Sequence, residues 1–302
     1  WSSDVCSSDL DFSKGDSIMR KVLLATTALV AMSVTAAQAD LSISGNYEWE
    51  YTQRDTEDTW GDDGNVNITA TNAADNGMTF TAVLSMEVSA TTSADNNTGA
   101  SYIQADGDFG TIILGDYDDS AATAMDGALG RNNDIESQVG FGGADTALTA
   151  IGADIIYMSP SISGFKFGVS KDLTDADADV DDGKTDLALT YSVGGASVYY
   201  GTVDDERAVG VKATMAGFTV AVGNKSTSGT TQKSSDIAVK YTLANGMTLA
   251  AVSANGTTAA GAKVKASNVG ASYAIVPGVN LGLESGKLDA DNYTWIGVNM
   301  SF

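Results

Sequence analysis

The sequence predicts an all-β fold, an antiparallel β-barrel of about sixteen strands, and three observations carry that prediction. Apolar residues recur at every second position in segment after segment. Short connections take turns with longer ones along the chain. The alternation also runs to the last residue, where soluble chains usually fray.

Taken in order, Leu41, Ile43, Tyr47, Trp49 and Tyr51 alternate with Ser42, Ser44, Asn46, Glu48 and Glu50. Successive side chains of a strand point to opposite faces, so this run has one apolar and one polar face. Met78, Phe80, Ala82, Leu84, Met86 and Val88 repeat the pattern, with only Val83 out of phase. Phe165, Phe167 and Val169 flank Lys166 and Gly168, and Leu187, Leu189, Tyr191 and Val193 flank Ala188, Thr190 and Ser192. Ile237, Val239, Tyr241 and Leu243 alternate with Asp236, Ala238, Lys240 and Thr242. Val279, Leu281 and Leu283 flank Asn280, Gly282 and Glu284, and Ile296, Val298, Met300 and Phe302 close the chain on one parity.

Short connections fall at 74–77, 107–110, 161–164, 194–195, 216–217, 244–246 and 276–278. Their Gly and Asn residues supply the positive φ of tight hairpins. The mostly longer polar stretches are 52–62, 90–100, 116–153, 173–184, 204–207, 225–234, 255–264 and 288–291. Seven short and eight longer connections join sixteen strands.

The other end reads differently. Met19, Arg20 and Lys21 begin a basic segment, an apolar run follows, and Ala37 to Ala39 form a small-x-small cleavage site. Residues 19–39 are therefore expected to be a signal peptide, 1–18 a non-native upstream extension, and 40–302 the barrel. Cys6 lies in the extension, so residues 40–302 carry no thiol for a disulfide. They hold 35 acids against 13 bases, a net of −22. Such a balance argues against nucleic acid, whose phosphates need clustered Lys and Arg, and favours cations.

No segment of 40–302 reaches the roughly 18 consecutive apolar residues of a membrane helix. Strands offer another way across. An open sheet this wide leaves two bare edges, and closure removes both. In lipid an unpaired backbone group costs several kcal/mol, so a closed transmembrane barrel is close to the only solution for strands. Phe80, Phe165, Phe218 and Phe302 sit near the short turns, where an interfacial girdle is expected. A secreted, soluble acidic β-sandwich also alternates, but it explains neither the terminal Phe302 nor the rhythm of connections.

The sequence contains no histidine. Ser-His-Asp and Cys-His catalysis and His-based metal sites are thereby removed, and no enzymatic activity is expected.

Three segments resemble the general-diffusion porins of Gram-negative bacteria, notably the alphaproteobacterial type, and the resemblance extends over 40–302. "DGDFGTIILGDYD" (106–118) resembles the segment that ends strand five and enters the pore loop. "DIIYMSPSISGFKFGVS" (154–170) resembles the Tyr-x-Ser-Pro…Gly-Phe hairpin, and "WIGVNMSF" the terminal strand. The resemblance implies a homotrimer in the outer membrane, surrounded by lipid and lipopolysaccharide, that passes small hydrophilic solutes passively. It also implies that Gly297, Met300 and Phe302 match an assembly signal read by the insertion machinery. A girdle role for Phe302 is compatible with that.

The longest connection, 116–148, is implied to fold inward as a constriction. It carries Asp116, Asp118, Asp119, Asp126, Asp134, Glu136 and Asp145 against one base, Arg131. Carboxylates in a narrow channel concentrate cations and repel anions, whereas an acidic surface loop would do neither. Lys166, Lys212 and Lys240 have lumen-facing parity and are expected on the wall opposing the loop, where they would set up a transverse field. The family often has arginine where Asp116 stands, so the sequence departs from it there. A solute-specific channel, for instance for an oligosaccharide, is the alternative, and would need an aromatic track; only Tyr199, Tyr293 and Trp295 are inward candidates. No cofactor is expected. Asp175, Asp177 and Asp179 alternate as in a calcium loop, but Val180 stands where an EF-hand needs glycine, which leaves a looser structural Ca²⁺ site.

Overall fold

The computed structural model describes residues 39–87, 99–126, 146–149, 152–173 and 183–302. Leu41–Phe302 form one compact unit. Its first half contains β1 (Asp40–Arg54), β2 (Asp58–Ala73), β3 (Thr79–Glu87), β4 (Ser101–Gly107) and β5 (Gly110–Tyr117). A four-residue helix α1 (Ala121–Ala124) precedes β6 (Ala153–Met158), β7 (Phe165–Lys171) and β8 (Thr185–Val193). The second half contains β9 (Ala196–Val203), β10 (Glu206–Met215), β11 (Phe218–Thr227), β12 (Lys233–Thr242), β13 (Thr248–Thr257), β14 (Lys263–Val276), β15 (Val279–Leu288) and β16 (Asp291–Ser301).

Every strand lies beside its sequence neighbours, and β16 returns to β1, so the sheet is a closed sixteen-stranded barrel. The seam is fully paired from Asn46↔Ser301 to Arg54↔Tyr293. Gly45 and Phe302 exchange both backbone hydrogen bonds, at 3.1 and 3.0 Å. Among the described residues no strand is left with an open edge, as a barrel in lipid requires.

The alternation sorts side chains as expected. Leu187, Leu189, Val209, Val211, Val222 and Ile237 are exposed on the outer face. The residues between them, such as Asp186, Ala188, Ala208, Ala221 and Ala238, are buried on the inner one. Aromatic residues gather where strands meet the short turns. Phe165 packs on Tyr191 with ring centroids 4.3 Å apart, and Phe218 on Tyr241 at 4.4 Å. Phe218 follows the two-residue turn Ala216-Gly217, whose φ values of 53° and 82° are those of a type I′ hairpin.

Several connections are shorter than their polarity suggests. The stretch 52–62 shrinks to 55–57 because Thr52, Gln53 and Arg54 pair with Trp295, Thr294 and Tyr293. Likewise 225–234 shrinks to 228–232, 255–264 to 258–262 and 288–291 to 289–290. Backbone pairing does not require apolar side chains, so strands continue as polar ladders beyond the greasy band. The contrast between long and short connections is large only in the first half of the chain.

Candidate pore constriction

After β5 the chain leaves the wall and turns into the barrel at 118–120. Ser120 and Thr123 form a capping box: the Ser120 N–H donates to Thr123 Oγ1 (2.8 Å) and the Thr123 N–H to Ser120 Oγ (3.4 Å). Helix α1 is made of Ala and Thr, small enough to lie flat on the inner wall. Gly168 permits that approach, since a Cβ there would lie 3.0 Å from Ala121 Cβ and 2.7 Å from Met125 Sδ.

The backbone groups that so short a helix leaves unpaired find partners on the wall. The Ala121 N–H donates to Ser170 Oγ (2.9 Å) on β7, and the Ala122 N–H to Asp186 Oδ2 (3.3 Å) on β8. Ser170 in turn donates to Asp186 Oδ1 (2.5 Å), and Tyr199 on β9 donates to the Ala122 carbonyl (2.7 Å). Ser170, Asp186 and Tyr199 are no more than 2 % exposed. Asp186 thus serves the loop and is withdrawn from solutes.

The far end of the connection is held further round the ring. Thr146 donates to Asp236 Oδ2 on β12 (2.7 Å), and the Thr149 N–H to Glu206 Oε2 on β10 (2.8 Å). Leu148 packs against Tyr199 and Val203. The anchors therefore extend from β7 to β12, and they hold the two described ends of the connection, 118–126 and 146–149, against the inner wall.

Asp118 and Asp119 border an inner cavity of about 310 Å³, together with Tyr102, Tyr117, Asn67 and Thr69. Tyr102 and Tyr117 pack edge to face at 4.9 Å behind them. Burial pushes the Asp119 carboxyl above its usual value; Asp118 adds to this, and a hydrogen bond from Thr123 opposes it. Asp126 is also inside but only 5 % exposed, against the wall.

Asp116 falls elsewhere. It pairs with Ser101 and shares the parity of Ile112 and Leu114, so it belongs to the outward face of β5. The inward connection begins only after Tyr117, which is why grouping Asp116 with the loop fails. Arg131, Asp134, Glu136, Asp145, Asp175, Asp177 and Asp179 lie outside the described residues. Among the described residues there is no group of three or more potential metal ligands.

Lys166, Lys212 and Lys240 have inward parity, each between outward apolar residues. They stand on β7, β10 and β12, strands that also hold the anchors of 118–126 and 146–149. The strands half a ring from β8 are β16 and its neighbours. There the inner wall carries Glu48, Glu50 and Glu284, which sequence reasoning did not single out although parity marked them. Each accepts a hydrogen bond from β16: Asn299 to Glu48 (3.4 Å), Trp295 to Glu50 (2.8 Å) and Tyr293 to Glu284 (2.6 Å). The indole of Trp295 lies over Gly282, where a Cβ would come within 2.6 Å, and over Gly297, where one would overlap the ring. Gly297 thus has a packing role of its own, while Met300 and Phe302 point outward.

A family profile for Gram-negative porins matches residues 25–299. Among solved structures, a five-site mutant of Rh. blastica porin is 20 % identical, with 87 % of this chain and 100 % of that chain covered and a TM-score of 0.69. A double mutant of the same porin is 19 % identical over the same shares, with a TM-score of 0.70. A loop-deleted OmpT, an outer membrane protein of Vibrio cholerae, is 14 % identical, with 88 % and 100 % covered and a TM-score of 0.67. No curated protein matches the chain. With a closed sixteen-stranded barrel and a family match over nearly its whole length, the chain belongs to the Gram-negative porins, the diffusion channels of the outer membrane.

Proposed function

We propose that this porin is a cation-preferring channel for small hydrophilic solutes, filtering by size and charge beside the inward connection. The observation that carries the reading is the presence of carboxylates on both sides of the lumen. Asp118 and Asp119 border the cavity at the loop, and Glu48 and Glu50 stand half a ring from its helix. Glu284, 3 % exposed and held by Tyr293, is withdrawn from solutes as Asp186 is. Carboxylates in a narrow passage raise the local cation concentration and repel anions. Lys166, Lys212 and Lys240 temper that field from the wall that holds the anchors.

Reversal potentials in a salt gradient across a planar bilayer test this. D118N/D119N and E48Q/E50Q should each lower the cation-to-anion permeability ratio, and K166Q/K212Q/K240Q should raise it. A ratio near one in the unsubstituted protein overturns the proposal. Binding of a specific oligosaccharide is less well supported, because Tyr293 and Trp295 lean on the wall toward Glu284 and Glu50 and do not form a continuous track.

We further infer a homotrimer. Asp62 on β2 accepts a hydrogen bond from Tyr47 (2.9 Å) and is 8 % exposed, although both have outward parity. A carboxylate there suits contact with a second copy better than contact with acyl chains. The mass of the detergent-solubilised particle checks it. The terminal strand, with outward Met300 and Phe302, suits recognition by the insertion machinery; Phe302→Ser should reduce the amount of folded barrel in the outer membrane.

A further inference from the structure

The chain has 16 basic residues against 39 acidic ones, yet five of the bases line a single groove of about 700 Å³ on the barrel wall. Lys225 has inward parity and pairs with Glu206 at 3.5 Å; the other four, Arg207, Lys233, Lys263 and Lys265, face outward, and no Asp or Glu lines the groove. All four are exposed on the outer face at the ends of β10, β12 and β14 that lead to the 204–205, 228–232 and 258–262 connections. Cross-strand pairing sets them in register: Arg207↔Ser226, Ser226↔Lys233, Lys233↔Thr257 and Thr257↔Lys263 form one row over five strands. One row inward, Asn224, Ser235 and Asn255 lead to Lys265. The floor is therefore made of short hydroxyl and amide side chains, and the walls of long cationic ones. Among the described residues, none of the four side chains makes an ion pair.

The surface beneath is of the opposite kind. Further down the same strands Val209, Val211, Val222 and Ile237 are exposed on the outer face. From rim to waist the wall offers cations, then hydroxyls, then aliphatic side chains, which is the order of parts in an anionic lipid. We propose that this groove holds the phosphate-bearing headgroup of a lipid in the surrounding membrane leaflet, with the acyl chains along the valine surface below. The proposal rests on the outer-membrane porin reading and adds a site to it. Charge complementarity selects the occupant: basic side chains near a membrane surface each favour anionic headgroups, and clustered donors match phosphate oxygens. A second copy of this acidic chain is a poorer match.

The test is native mass spectrometry of the purified protein in detergent micelles carrying either a bis-phosphorylated glycolipid (lipid A) or phosphatidylcholine of similar chain length. The phosphorylated lipid should be retained in preference, and K233Q/K263Q/K265Q should weaken its retention about tenfold or more, given the gain per basic residue. Retention of phosphatidylcholine and single-channel conductance should not change. Equal retention of both lipids by the unsubstituted protein, or unchanged retention by the variant, overturns the proposal. So does a change in oligomer mass of the lipid-free variant, which would make the groove an interface between copies. Should the variant fail to insert, loss of preferential retention by the unsubstituted protein at high salt replaces it, and salt-insensitive retention counts against the groove. A protein that passes no current fails as a channel, which is a separate outcome.

Discussion

The Thr146 hydroxyl and the Asp236 carboxylate meet at 2.7 Å across 90 residues of sequence, both buried inside the barrel. The second oxygen of Asp236 accepts from the Gly223 N–H at 2.8 Å, so the carboxylate joins β11, β12 and the inward connection. Thr146→Val keeps the shape and removes the hydroxyl. A hydrogen bond to a charged group contributes about 1.5–3 kcal/mol, and the loop end should loosen accordingly. Single-channel recordings should show larger open-channel noise and a higher mean conductance, with the barrel still inserted.

Asp186 anchors the near end. Asp186→Ala leaves the Ala122 N–H and the Ser170 hydroxyl without their acceptor in a site that is almost dry. Asp186→Asn keeps one acceptor oxygen and should cost less. Thermal denaturation in detergent should rank them unsubstituted, Asn, Ala, with about 3 kcal/mol for the Ala variant, near the upper range for such a loss. Equal midpoints for all three would dismiss Asp186 as an anchor.

Asp119 should give the proposed cation preference a pH dependence. Burial, aided by Asp118, raises its carboxyl above the ordinary aspartate value of about 3.9, so it loses its charge earlier than an exposed aspartate as pH falls. Cation preference should therefore begin to decline on acidification above that value. In Asp119→Asn the early part of the decline should vanish and a lower plateau remain. Reversal potentials over a pH series read this directly.

Asp55 ties the first hairpin to the last strand. Its carboxylate accepts from the Asn292 N–H (2.9 Å) and side-chain amide (2.8 Å), and these bonds hold its carboxyl below the usual aspartate range. A carboxyl whose value is lowered by folding contributes stability above its unfolded value, and that contribution is lost as pH falls through the folded one. Asp55→Ala should thus lower the urea midpoint at neutral pH and lower it less at acid pH, below the ordinary aspartate range. Equal destabilisation at both would assign the effect to something other than this carboxylate.

How much of this is legible in the sequence follows from what periodicity encodes. Parity tells inside from outside, so sixteen strands, the aromatic girdle and the inward lysines can be read directly. Parity does not tell where around a ring a residue stands. Lys166, Lys212 and Lys240 therefore read as an opposing wall, whereas Ser170, Asp186 and Asp236 hold the two described ends of the connection, 118–126 and 146–149, on their own side. Those three read only as ordinary inward polar residues, because what they bind lies about 50 to 90 positions away. Asp116 reads as part of the loop because composition alone does not mark where β5 ends. Glu48 and Glu50 were within reach, one step from Tyr47 and Trp49.

The union of Ser170, Asp186 and α1 bears on how errors are rejected during assembly. A slip of one residue in β7 and β8 would turn both side chains toward the membrane, because neighbouring residues of a strand face opposite ways. The short helix would then find a hydrophobic surface in place of its acceptors and would not dock. A docked connection is thus available only to a ring whose staves are aligned, and misassembled cylinders should betray themselves as wide, leaky holes.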